Sequence, residues 1–158
     1  MRVETRRYSR PSSSPLRVTG SSTRAVDSVQ MEFTGEVVSG QGLAASRMTD
    51  TVVGVIQALT GGMRVIPGTL NLLLDQDFDS PGQWTIPASR LGDAWESATG
   101  QSVYRISRIE IVGEIPALAI QAKEIDGYPP DRIEVASSIH LRTMLGLENG
   151  DRIRFRVL

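Results

Sequence analysis

Val103-Tyr104-Arg105-Ile106-Ser107-Arg108-Ile109-Glu110-Ile111-Val112 and Ala117-Leu118-Ala119-Ile120-Gln121-Ala122 flank the connection Gly113-Glu114-Ile115-Pro116. Both runs are rich in apolar, largely β-branched residues and are bounded by turn formers, so they read as two strands joined by a short link. Downstream, Ile133-Glu134-Val135 reads as a third strand after Tyr128-Pro129-Pro130. Ser137 or Ser138 is placed to cap a short helix through Leu145, with Gly146 as its stop. Asn149-Gly150-Asp151 then turns into an alternating strand carrying Ile153, Phe155 and Val157. Upstream, Pro67-Gly68 forms a turn before Thr69-Leu70-Asn71-Leu72-Leu73-Leu74, a run too short and apolar for a helix. Val52, Val53, Ile56 and Leu59 recur at helical spacing, predicting a helix over 51–60 capped by Asp50 and stopped by Gly61-Gly62. Met31 to Val38 reads as a strand running into Ser39-Gly40-Gln41-Gly42. Residues 75–100 are turn-rich, with a short strand at Trp84 and Ile86 and a helical turn over 91–98. Many short strands, two short helices and no regular βαβ alternation predict a mainly β fold: a closed or nearly closed barrel decorated by helices.

Composition limits the chemistry. The 158 residues, 40% hydrophobic, suit one domain with its own core. With no cysteine, thiolate metal sites, cysteine nucleophiles and disulfides are excluded. One histidine, His140, rules out multi-histidine metal sites. The single lysine, Lys123, is not part of a Gly-rich P-loop. No apolar run approaches the roughly 20 residues that span a bilayer, and Arg6-Arg7 lacks the hydrophobic segment of an export signal, so the expectation is a soluble, cytoplasmic protein; a monomer is the default, since the sequence is silent on oligomeric state.

Residues 1–30 differ from the rest. They hold six arginines against Glu4 and Asp27, around Pro11-Ser12-Ser13-Ser14-Pro15, and read as a disordered basic, Ser-rich tail preceding a domain at 31–158. The alternative, a basic arm for nucleic acid, lacks interleaved aromatics beyond Tyr8. The remaining residues carry 11 basic against 16 acidic side chains, a poor match for a phosphate backbone.

Three segments between Phe33 and Leu158 together resemble the CTP-dependent riboflavin kinase family, whose fold is a six-stranded cradle-loop barrel related to the RIFT barrels, here with two or three short helices. The first, Gly35-Glu36-Val37-Val38-Ser39-Gly40-Gln41-Gly42, resembles the strand and Gly-rich loop that wraps the nucleotide; glycines let backbone N–H groups approach phosphate oxygens. By the resemblance, Gly40, Gln41, Gly42, Leu43, Ala44 and Ala45 bind nucleotide. The second, Pro67-Gly68-Thr69-Leu70-Asn71-Leu72, is the most specific, and it implies Thr69 and Asn71 as magnesium ligands. Strand alternation puts their hard, neutral oxygens on one face, where nucleotide phosphates and waters would complete the shell.

The third segment runs from Ile133-Glu134-Val135 through Ile139-His140-Leu141-Arg142 to Leu145-Gly146-Leu147-Glu148-Asn149-Gly150-Asp151. It resembles the closing helix and last hairpin, implying Ile139, His140, Leu141 and Arg142 as contacts to the nucleotide and Glu134 as both flavin contact and catalytic group. The implied reaction converts riboflavin and CTP, with magnesium, to FMN and CDP. Two departures stand out. Leu43-Ala44-Ala45 replaces the acidic, glycine and basic residues usual after the first loop, with Arg47 as a substitute cation two residues on. Asp126 stands where a flavin-contacting threonine is expected.

Each residue also has a purely structural reading. Thr69 is a good strand former, Asn71 suits a strand edge, Leu141 and Leu145 share a helix face, and His140 reads as a surface residue. Two rival functions remain open: a flavin- or nucleotide-binding barrel without catalysis, and a swapped-hairpin DNA-binding barrel, suggested by Leu145-Gly146-Leu147-Glu148-Asn149-Gly150-Asp151 and the basic tail.

Overall fold

A computed structural model describes residues 31–40, 48–91, 103–123 and 128–158. Its strands are β1 (Glu32–Val38), β2 (Leu70–Leu74), β3 (Trp84–Pro87), β4 (Val103–Ile111), β5 (Ile115–Lys123), β6 (Arg132–Ser137) and β7 (Arg152–Val157). Helix α1 spans Asp50–Leu59, α2 spans Leu141–Leu145, and a single 3-10 turn covers Ala88–Arg90. The strands hydrogen-bond in the order β3-β4-β5-β6-β2-β1-β7, and β4 also pairs with β7, which closes six antiparallel strands into a barrel. Strand β4 makes closure possible through its length. Val103–Ile106 hold β3, while Ile109–Ile111 on the same edge hold the end of β7. Gln83 seals the junction, donating to the Leu158 carbonyl at 2.8 Å and accepting from the Arg108 N–H at 3.1 Å.

Alternation along the strands sorts the apolar side chains into two cores. Phe33, Val37, Leu70, Leu72, Ile109, Ala119, Ile133, Val135, Ile153 and Phe155 fill the barrel. Phe78 closes the end beyond β2, its ring tilted against Phe33 and Phe155 with centroids 5.0 Å and 6.2 Å away, and Leu141 closes the opposite end after β6. The second core lies outside the wall, where Ile106, Leu118, Ile120 and Ala136 meet Val52 and Ile56 of α1, together with Met48 and Ile86. Burying Val52 and Ile56 is worth about 1.5–3 kcal/mol each, and this, rather than helix propensity, holds a ten-residue helix in place.

Element ends differ from the sequence expectation in three places. The cap of α1 is Thr49, whose hydroxyl accepts from the Val52 N–H at 3.4 Å; Asp50 is instead the first helical residue, where its charge complements the helix dipole. Neither Ser137 nor Ser138 caps α2. Ser137 is buried in β6 and donates across the sheet to the Pro116 carbonyl at 3.2 Å, and the cap position falls to His140 without a side-chain bond. Ile115 and Pro116 belong to β5, so the β4–β5 link shrinks to Val112-Gly113-Glu114, with successive positive φ of 96° and 63°. Two positive φ values match the twist of a tight hairpin, at a steric cost for Glu114. The helical turn expected over 91–98 falls, beyond Leu91, outside the described residues. No helix among the described residues is long and apolar enough to cross a membrane.

Candidate active site

Strand β2 lies between β1 and β6. Because Leu70, Leu72 and Leu74 take the barrel interior, Thr69 and Asn71 fall on the outer face. In the β2–β6 register Asn71 stands directly opposite Glu134, and in the β1–β2 register it stands opposite Val38. Ile133 and Val135 lie in the core, so Glu134 between them faces outward. There the Thr69 hydroxyl donates to Glu134 Oε2 at 2.7 Å. A hydroxyl, a carboxamide and a carboxylate thus share one patch, although 65 residues separate Thr69 from Glu134.

Gly40 completes the patch. A Cβ there would fall onto the Asn71 carboxamide, with Cγ at 3.0 Å and Oδ1 at 3.3 Å, so the absent side chain is what gives Asn71 its place. This is a packing reason for the glycine, distinct from the phosphate approach read from sequence.

A cleft of about 330 Å³ opens beside the patch. One wall is Ile66–Leu70, the other Ile139–Thr143, and Val135 and Ser137 lie between. The cleft therefore brings Thr69 together with Ile139, His140, Leu141 and Arg142. Leu141 is buried in the barrel core and Ile139 packs against it, so neither offers the cleft a polar side chain. His140 is exposed, and its carbonyl accepts the Met144 N–H at 2.8 Å. Arg142 is engaged with the barrel: Nη2 donates to the Val38 carbonyl at 3.0 Å and to Asn149 Oδ1 at 2.9 Å. Gln41, Gly42, Leu43, Ala44, Ala45 and Asp126 lie outside the described residues.

Tyr128, not singled out in the sequence, stands close enough to Glu134 to feel its charge. Burial, and then the Glu134 carboxylate, push its phenol up to about 12, with Arg132 pulling the other way. Its place beside Pro129 and Pro130 carries no sequence signal of a site; only folding brings it beside Glu134.

The donor set fits a small hard cation, since all three groups offer oxygen. Among the described residues no group of three or more His, Cys, Asp or Glu could hold a metal unaided, so retention would depend on oxygens brought by a ligand.

The family model labelled CTP-dep RFKase, described as domain of unknown function DUF120, matches residues 37–157. The chain belongs to this CTP-dependent riboflavin kinase family. Its match runs from β1 to β7 and so takes in Thr69, Asn71 and Glu134. The chain is also similar to the riboflavin kinase of Aeropyrum pernix, 28% identical over 138 residues that cover 80% of this chain and 95% of that protein.

Proposed function

We propose that this protein phosphorylates riboflavin to FMN with CTP as donor and magnesium as cofactor, releasing CDP. The observation that carries the reading is the Thr69–Glu134 hydrogen bond in register with Asn71, beside a cleft that Thr69 helps line within a family-matched barrel. Phosphoryl transfer needs positioning and charge neutralisation more than covalent help, which suits a site with no lysine beside it. Thr69 and Asn71 would hold the cation, whose charge, when bound, offsets that of the phosphate oxygens.

The chain's own work is then positional. The backbone at Gly40 and along 41–45 lines the triphosphate, and residues 139–142 border the nucleotide, chiefly through main-chain groups because two of their four side chains serve the core. Glu134 uses one carboxylate oxygen on Thr69, and its other oxygen would meet the riboflavin 5′-hydroxyl. Glu134 orients that hydroxyl and takes its proton as the new oxygen–γ-phosphorus bond forms and the bond to CDP breaks. Asp126 and Tyr128 would flank the acceptor.

Purified protein is incubated with riboflavin, magnesium and CTP, ATP, GTP or UTP in turn, and FMN is quantified. FMN formation fastest with CTP supports the reading. No turnover with any donor overturns it, and tight FMN binding without turnover would assign a binding barrel instead.

A further inference from the structure

Near the cleft, the segment from α2 to the turn before β7 meets the end of β1 at a largely exposed cluster. Asn149, in the turn before β7, donates from Nδ2 to Ser39 Oγ at 2.5 Å and accepts from Arg142 Nη2 at 2.9 Å. The same Arg142 nitrogen holds the Val38 carbonyl at 3.0 Å. The Gly150 N–H donates to Val37 O and the Val37 N–H to Asp151 O, both at 2.8 Å, so the turn lies directly against the end of β1. Immediately after Ser39 comes Gly40, whose Cα leaves no room for a methyl beside the Asn71 carboxamide.

These contacts form one chain: Arg142 and Asn149 fix Val38 and Ser39, those fix Gly40, and Gly40 borders the space in which the Asn71 amide sits. We propose that Asn149 is a positioning residue for nucleotide and cation binding, joining Ser39 to Arg142 so that the end of β1 holds Asn71 in place. Asn149 would act through Ser39 and Gly40 rather than on a substrate. The inference rests on the proposed role of Asn71, but its first test does not. The cluster is solvent-exposed, and exposed hydrogen bonds contribute little to global stability. Its effect should therefore fall on local geometry.

Two measurements test it. In the ligand-free protein, the Asn71 side-chain amide resonances are recorded by NMR for the parent, Asn149→Ala and Asn149→Asp. The Ala variant should shift or broaden them, while Asp, able to accept from both Arg142 and the Ser39 hydroxyl, should return them close to the parent. Unmoved resonances in Asn149→Ala overturn the inference whatever the protein's activity. In FMN formation, Asn149→Ala should raise the KM for CTP roughly five- to tenfold, the worth of about one net hydrogen bond. The KM for riboflavin and the melting temperature should hold, and Asn149→Asp should recover to within about twofold. An unchanged CTP KM in the Ala variant, an equal rise in both KM values, or an Asp variant as impaired as Ala contradicts the positioning role. A parent without kinase activity would instead defeat the proposed reaction, leaving the resonance experiment to judge Asn149.

Discussion

Replacing Gly40 by alanine separates folding from function at one atom. The added methyl would meet the Asn71 carboxamide carbon at 3.0 Å and its oxygen at 3.3 Å, distances that require the neighbour to move. Gly40 is not in the left-handed region, so the backbone tolerates alanine and the cost falls on the Asn71 rotamer. Driving a side chain off its preferred χ angles costs about 0.5–1.5 kcal/mol, which for a domain of this size lowers the melting temperature by about 2–5 °C. A ligand displaced by about an ångström costs far more, so activity at limiting CTP and magnesium should fall about ten- to hundredfold. Gly54→Ala is the control: a methyl there meets nothing within 4 Å in mid-helix, and alanine should stabilise by about 0.5–1 kcal/mol without touching activity. Thermal unfolding paired with FMN assays over CTP and magnesium reads both effects. A Gly40→Ala variant with the parent's CTP and magnesium dependence would refute the packing argument.

Three further outcomes follow from the same geometry. Phe78→Ala empties a 1%-exposed position against Phe33 and Phe155 and should cost about 3–5 kcal/mol in urea unfolding; a loss under 1 kcal/mol would show that Phe78 does not plug the barrel. Glu114→Gly relieves a φ of 63° at the β4–β5 turn and should stabilise by about 1 kcal/mol, whereas destabilisation would argue that the Glu114 side chain matters more than its backbone. Folding holds the Tyr128 phenol protonated up to about pH 12, so the stability linked to it is complete below pH 10 and is lost as pH rises through 12. Phenolate absorbance should therefore contain a component titrating near pH 12 that Tyr128→Phe removes; a Tyr128→Phe curve that loses only a component near pH 10 would contradict its burial beside Glu134.

Local signals carried the strands well, because apolar runs bounded by Gly and Pro leave few alternatives; β4 and β7 lie where the pattern puts them, and β5 starts two residues earlier, at Ile115. Capping was less legible. Ser137 has the chemistry of a cap, but a buried hydroxyl must find a partner, and the Pro116 carbonyl across the sheet supplies it. The outer core could not be read at all, since periodicity shows that α1 has an apolar face but not that Leu118, Ile120 and Ala136 meet it. At the site, alternation correctly put Thr69 and Asn71 on one face. The direction of Glu134, the fit of Asn71 over Gly40 and the Asn149–Ser39 contact depend on strand register and barrel closure. Ser39 and Asn149 are 110 residues apart, beyond the reach of any local pattern.

The proposed reaction depends on the Thr69–Asn71 pair as the grip on the cation that accompanies the nucleotide. FMN formation at saturating riboflavin, followed as magnesium is titrated in the parent, Thr69→Ala and Asn71→Ala, tests that pair directly. Each variant should need at least about tenfold more magnesium for half-maximal rate, or lose activity while keeping a cooperative thermal transition. Variants whose magnesium curves overlay the parent's would contradict it.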